Sequence, residues 1–151
     1  MIWRAVKRAQ IPAVKEPVGL TKDGKRPDGA TLIPWSRGKP LAWDVTVPDT
    51  FAQSHLHSSA IRSCAAADTA ASNKTLKYMH LATTHIFVPF AVETGGSWND
   101  QAIQFVQDLG KRISEATHEP METQYLFQRL SMAVQRGYAI AHKSTFSSVN
   151  L

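Results

Sequence analysis

The stretch KRPDGATLIPWSRGKPLAWDVTV, Lys25 to Val47, decides the fold, because it holds two strand-like runs and two aspartates. Thr31 to Trp35 and Leu41 to Val47 are rich in β-branched and aromatic residues, and SRGK, Ser36 to Lys39, supplies a tight connection. The pair reads as a β-hairpin. Alternation along a strand places Ala42, Asp44 and Thr46 on one face and Trp43, Val45 and Val47 on the other. The second face is expected to be core. The first, small and polar, is expected to border a cleft. Asp44 is the anomaly, since a strand interior disfavours aspartate and a carboxylate among apolar neighbours is costly unless paired or metal-bound. Two solutions stand open: a cation at the cleft, or a buried pairing with Arg26, Arg62 or a lysine. Asp28 taken alone reads as turn chemistry, because Pro-Asp-Gly is a common turn signature.

Working outward, IWRAVKRAQ forms a short amphipathic helix with Ile2, Val6 and Ala9 on one side and Arg4, Lys7 and Arg8 toward water. Pro12 and Pro17 end it, and GLTKDGKRPDG is dense in turn residues. After the hairpin, Pro48, Asp49 and Thr50 stop the strand, and the chain is helical in character to about Met79, with a break near HLHSS. Cys64, Ala67, Ala70 and Ala71 share a helix face that continues into Lys74, Lys77 and Tyr78. Small residues let such a helix lie close on a sheet and deliver lysines at its end. HIFVPFAVE, His85 to Glu93, is a third strand. Asn99 to Ala116 is an amphipathic helix with Ile103, Val106, Leu109 and Ile113 inward and Gln104, Gln107, Lys111 and Arg112 outward. A last helix runs from about Met121 to Ala141 with Leu126, Leu130, Val134 and Ala141 inward. This order predicts an α/β (α+β) domain with a small mixed sheet flanked by helices. Residues 1–151 are expected to be one domain: an N-terminal helix in 1–15, a core in 16–93 and C-terminal helices in 94–151.

Composition bounds the function. Hydrophobic residues make up 43% and charged residues 19%, a globular balance, and 17 basic against 12 acidic residues give +5, which suits a polyanionic partner. Cys64 is alone, which excludes a disulfide framework and a thiolate zinc site and fits a reducing compartment. No apolar run approaches the roughly 20 residues of a membrane span, and MIWRAVKRAQ lacks the pattern of a secretory signal. An intracellular protein, nuclear or cytoplasmic, is expected.

Two carboxylates from a hairpin and a lysine from the next helix make a plausible phosphodiester-cleaving site around Mg²⁺ or Mn²⁺, which bind through one or two carboxylates plus waters and phosphate. The ordered set RPD (Arg26 to Asp28), DVTV (Asp44 to Val47) and KTLKY (Lys74 to Tyr78) resembles the restriction-endonuclease-like domain of site-specific non-LTR retrotransposons, a branch of the PD-(D/E)xK nucleases. Longer stretches, DGKRPDGATLIPW, LAWDVTV and LFQRLSMAVQRGYA, are also similar to C-terminal segments of reverse-transcriptase-type proteins, so the likeness runs from about Glu16 to Ala141. The resemblance implies a nuclease that nicks target DNA so that the exposed 3′ hydroxyl primes copying. It implies Asp28 and Asp44 as metal-binding catalytic acids, with Lys74 or Lys77 as the catalytic lysine displaced to the helix; Thr46 stands where the wider superfamily has its lysine. Glu16 matches an acid that some members place ahead of the PD motif. Lys25, Arg26, Arg37, Lys39 and Tyr78 are the expected DNA contacts. Retroelement RNA and a longer reverse transcriptase polyprotein are the further partners implied. The competing reading is a nuclease-derived DNA-binding or assembly module that has lost catalysis.

Other residues read as structural. His55 and His57 lack a third ligand at useful spacing. Glu93 reads as a surface acid at a strand end, and Trp35, Trp43 and Trp98 as packed rather than base-stacking.

Overall fold

Strands β2 (Gly29–Ser36) and β3 (Lys39–Thr46) form the hairpin, joined by a two-residue turn at Arg37 and Gly38. Both turn residues have positive φ, 52° and 73°, the backbone that matches the twist of paired antiparallel strands. The computed structural model describes residues 1–49 and 65–136. Helix α1 (Ile2–Arg8) precedes a three-residue strand β1 (Ala13–Lys15), which pairs antiparallel with the start of β2. After β3 come α2 (Ala65–Lys77), a 3₁₀ turn (Met79–Thr83), β4 (Ile86–Ala91), α3 (Asp100–Thr117) and α4 (Glu122–Gln135). The sheet runs β1-β2-β3-β4, and β4 lies parallel to β3 across a connection that contains α2. The domain is therefore mixed α/β, with a four-stranded mixed sheet and four α-helices among the described residues.

The central strand is covered on both faces, as the parallel partner of a crossover unit should be. Leu41, Trp43 and Val45 join Phe90, Val92, Phe105, Val106, Leu109, Ile113, Leu126 and Leu130 in the main core, which α1, α3 and α4 close. On the other face Ala42 and Ala30 meet Tyr78 and Leu81, and Ala91 meets Ala67 and Ala71 of α2. The face carrying Ala42 and Asp44 is thus a second buried layer rather than an open cleft. Its alanines let α2 sit directly on the strands. Val47 lies past the end of β3 and is 42% exposed, so its strand face does not extend to it. Ile103 is on the outer side of α3, where Ala102 and Phe105 take the inward positions. Strand β1 escapes the sequence reading because Pro12 and Pro17 flank it and leave three residues of pattern. Helix α4 is described only to Gln135, and Ala141, Cys64 and the His55/His57 pair lie outside the described residues.

Three close fits hold these layers. Gly29 sits opposite Trp43, and a Cβ at Gly29 would clash with the indole ring; Pro-Asp-Gly is here the entrance to a strand, not a turn. Gly110 fits equally closely against Thr123, bringing α3 and α4 into contact. Arg8 reaches from α1 to the buried Glu122 at the start of α4 in a two-pronged pair, 2.9 and 2.6 Å. Asn99 closes the outer edge of β4: its side chain accepts from Ala91 N–H (2.9 Å) and donates to the Pro89 carbonyl (2.9 Å). Its own carbonyl then accepts the first N–H groups of α3.

Gly29→Ala is expected to lower stability by about 1–3 kcal/mol through overpacking against Trp43. Urea unfolding at constant slope measures it, and a change under about 0.5 kcal/mol would mean the indole yields freely.

Candidate functional site

The antiparallel ladder of β2 and β3 pairs Gly29 with Trp43, and Asp28 and Asp44 are the residues just beyond that pair. There the two carboxylates interlock. Asp44 Oδ1 accepts the Asp28 backbone N–H at 3.1 Å, and Asp28 Oδ2 accepts the Val45 N–H at 2.6 Å. Side-chain oxygens thus take N–H groups at the point where the two chains separate. Asp28 is 2% exposed and Asp44 fully buried, so these bonds are made away from competing water.

Helix α2 supplies the compensating charge. Lys74 Nζ stands 2.7 Å from Asp44 Oδ2, with its side chain 22% exposed. The small-residue face of α2 makes this reach possible, since Ala67 and Ala71 bring the helix against Ala91 of β4 one to two turns before Lys74. One turn further, Tyr78 is buried, and its hydroxyl donates to the Arg26 carbonyl at 2.9 Å. Burial first, then the charges of Asp44 and Asp28, raise the phenol well above its ordinary range and keep it protonated. Two elements therefore converge on one point: the hairpin brings Asp28 and Asp44, and the helix brings Lys74 and Tyr78.

The other sequence-derived candidates separate. Lys77 is exposed, its ammonium 5.2 Å from the Tyr78 ring centroid, while Lys74 is the lysine seated on Asp44. Glu16 is next to Asp28 through its backbone, its N–H donating to the Asp28 carbonyl at 2.9 Å, with a left-handed φ of 43°. Among the described residues no three His, Cys, Asp or Glu side chains gather as a metal cluster, so Glu16 does not complete a three-acid set. Arg26 and Arg37 are exposed. Lys25 is paired with Asp23 at 3.0 Å, and that lysine holds the Asp23 carboxyl down at about 2. Lys39 Nζ donates to the Ala82 carbonyl at 3.0 Å, tying the hairpin to the 3₁₀ turn. Tyr78, expected on the DNA surface, has its ring inside the core beside Phe87.

Glu93 differs most from its expectation. It is 1% exposed, and its Oε2 accepts the Ala67 N–H at 3.0 Å, anchoring α2 to the end of β4. The sequence signal available was its place directly after the apolar run IFVPFAV. Trp35, Trp43 and Trp98 are packed as read: Trp35 lies under the Arg112 guanidinium (3.8 Å), and Trp98 tilts against Phe90 and Phe127. Arg112 also donates to the Trp35 carbonyl at 2.8 Å, so it is not a free outward charge.

Compared with known proteins, the chain matches no protein-family model and no curated protein. No helix among the described residues is long and apolar enough to cross a membrane.

Two outcomes follow from this geometry. Lys74→Met is expected to cost about 2–3 kcal/mol, less than for a fully buried pair because Lys74 keeps some solvent contact. Most of that cost should vanish when Asp44 is already Asn, a coupling of about 1–3 kcal/mol in a double-mutant cycle; additive effects would show the pair to be idle. The Tyr78 phenol has its second consequence in base. Its folded-state acidity is weakened, so the stability it adds is complete below the ordinary phenol range near 10 and is lost as pH climbs above it. Unfolding free energy measured from pH 9 to 12 should therefore fall more steeply for the natural chain than for Tyr78→Phe. Parallel curves would contradict the assignment.

Proposed function

We propose that this chain is a metal-dependent DNA endonuclease domain with a restriction-endonuclease-like core, nicking target DNA to prime reverse transcription in a non-LTR retroelement protein. The observation that carries the reading is the meeting of Asp28, Asp44 and Lys74, with the lysine 2.7 Å from an acid that is itself interlocked with the other acid. Support also comes from the fold's economy: a hairpin and the helix after it supply all three groups.

The donor set suits a small hard cation. Two carboxylates are what Mg²⁺ or Mn²⁺ takes from protein when water and phosphate fill the rest. Asp28 and Asp44 would hold the ion, which supplies Lewis acidity and a water of lowered pKa when bound. Lys74 orients the attacking water and offsets charge building on the phosphate, since its ammonium is fixed by Asp44 and not free to wander. Lys77, Arg26 and Arg37 are exposed, and on this reading they would follow the DNA backbone together with Lys25 and Lys39. The same reading makes retroelement RNA a partner, a longer reverse transcriptase polyprotein the parent, and the nucleus or cytoplasm the location.

The complete burial of Asp44 in its ion pair favours a second reading, a nuclease-derived DNA-binding module in which the pair serves the fold alone. Nicking of supercoiled plasmid separates the two. The first predicts Mg²⁺-dependent open-circle product, abolished by chelator and reduced about 100-fold or more in Asp44→Asn and Lys74→Met, with DNA binding retained and falling as salt rises. Undiminished nicking by Asp44→Asn would remove this site from the chemistry. DNA binding without nicking, and without stabilisation by Mn²⁺, would leave the binding module.

A further inference from the structure

Segment Arg26–Asp28 has no regular structure, yet it carries one of the two acids. Its far end is held by the sheet: Asp28 N–H goes to Asp44, the Asp28 carboxylate takes Val45 N–H, and the Asp28 carbonyl takes Glu16 N–H. Its near end is held from the helix side, where the Tyr78 hydroxyl donates to the Arg26 carbonyl at 2.9 Å. Tyr78 N–H in turn bonds to the Lys74 carbonyl at 3.0 Å, so the tether and the lysine belong to the same helical turn.

We infer that Tyr78 is a positioning residue: by fastening Arg26 to the end of α2 it sets where the Asp28 carboxylate stands relative to Asp44 and Lys74. Filling of the core does not require this residue type. The ring packs with Ala30, Ala42, Leu81 and Phe87, an apolar setting in which phenylalanine fits as well. The hydroxyl is what the setting adds, and it is kept protonated by burial and by the facing charges of Asp44 and Asp28, so it stays a donor. The ring is buried and takes no direct part in holding DNA. Its influence is exerted through Asp28.

The inference rests on the nuclease reading for its consequence, and Tyr78→Phe in the full chain tests the two separately. Amide exchange is followed at Asp28 and Val45, whose N–H groups bond to the acids, and at Leu41, whose N–H bonds to Thr31 Oγ1 as the control. Mn²⁺ affinity is measured by calorimetric titration of both proteins. Exchange at Asp28 and Val45 should quicken about tenfold, as expected for loss of one hydrogen bond, with Leu41 unchanged. Mn²⁺ should bind about five- to tenfold more weakly with the thermal midpoint in chelator shifted by only a few degrees. Exchange that is unchanged, or that rises equally at Leu41, overturns the positioning role, as does measurable Mn²⁺ binding of the same affinity in both proteins. Selective quickening with Mn²⁺ bound by neither protein supports the tether and sinks the nuclease reading.

Discussion

The rest of the molecule is arranged around the burial of two carboxylates at the end of a strand ladder. Charges taken out of water must be matched by hydrogen bonds and by an opposite charge, or the fold loses more than packing returns. Here each acid accepts a backbone N–H from the neighbourhood of the other, and Lys74 closes the set. That requirement dictates the character of α2. A helix with bulky residues on its sheet side would stand too far off for its lysine to reach, so Ala67 and Ala71 face Ala91. It also dictates the register of the hairpin, which Trp43 locks by resting on a glycine. The two faces of β3 are therefore complementary: one is filled by aromatic and aliphatic side chains, the other by alanines with Tyr78 and Leu81 and, among the described residues, the Lys74–Asp44 pair.

Much of this was legible in the chain. The hairpin stood out because β-branched and aromatic runs flank a turn with a glycine, and Arg37 and Gly38 adopt the backbone that such a turn needs. Helices α2 and α3 were legible from periodicity, and the face shared by Ala67, Ala71 and Lys74 came directly from spacing. Asp44 was conspicuous because it sits among residues that want to be core, and a lysine from α2 is a partner it has, while Arg62 lies outside the described residues. What remained hidden depended on tertiary neighbours. Gly29 looked like turn chemistry because the indole that demands it is fourteen residues on. Glu93 looked like surface because its partner is a backbone N–H, and main-chain donors leave no trace in a sequence. Ile103 carries the right period for the core, yet the helix is rotated so that Ala102 and Phe105 face inward. Tyr78 at the end of a basic helix suggested a surface role, while the 3₁₀ turn that follows it folds Leu81 beneath its ring.

The hairpin and α2 carry unequal risk. Hairpin contacts are close in sequence and form through a short loop, whereas the Lys74–Asp44 and Tyr78–Arg26 contacts join residues 30 and 52 positions apart. Helix α2 is also held at its other end by Glu93, which bonds to its backbone and not to a side chain. A rigid element anchored at both ends keeps its lysine and its phenol in fixed relation. Small residues along its middle then contribute proximity, and the ends contribute orientation.

The side chain of Asn99 imitates a neighbouring strand along the outside of β4, taking up Pro89 and Ala91 main-chain groups that an incoming polypeptide would otherwise seek. Edges left open are where sheets from separate molecules zip together. With that rim already stitched to the head of α3, stacking of copies side by side through β4 would first have to unpick an amide bound on both its oxygen and its nitrogen, so crowded chains are steered away from fibre growth at this border.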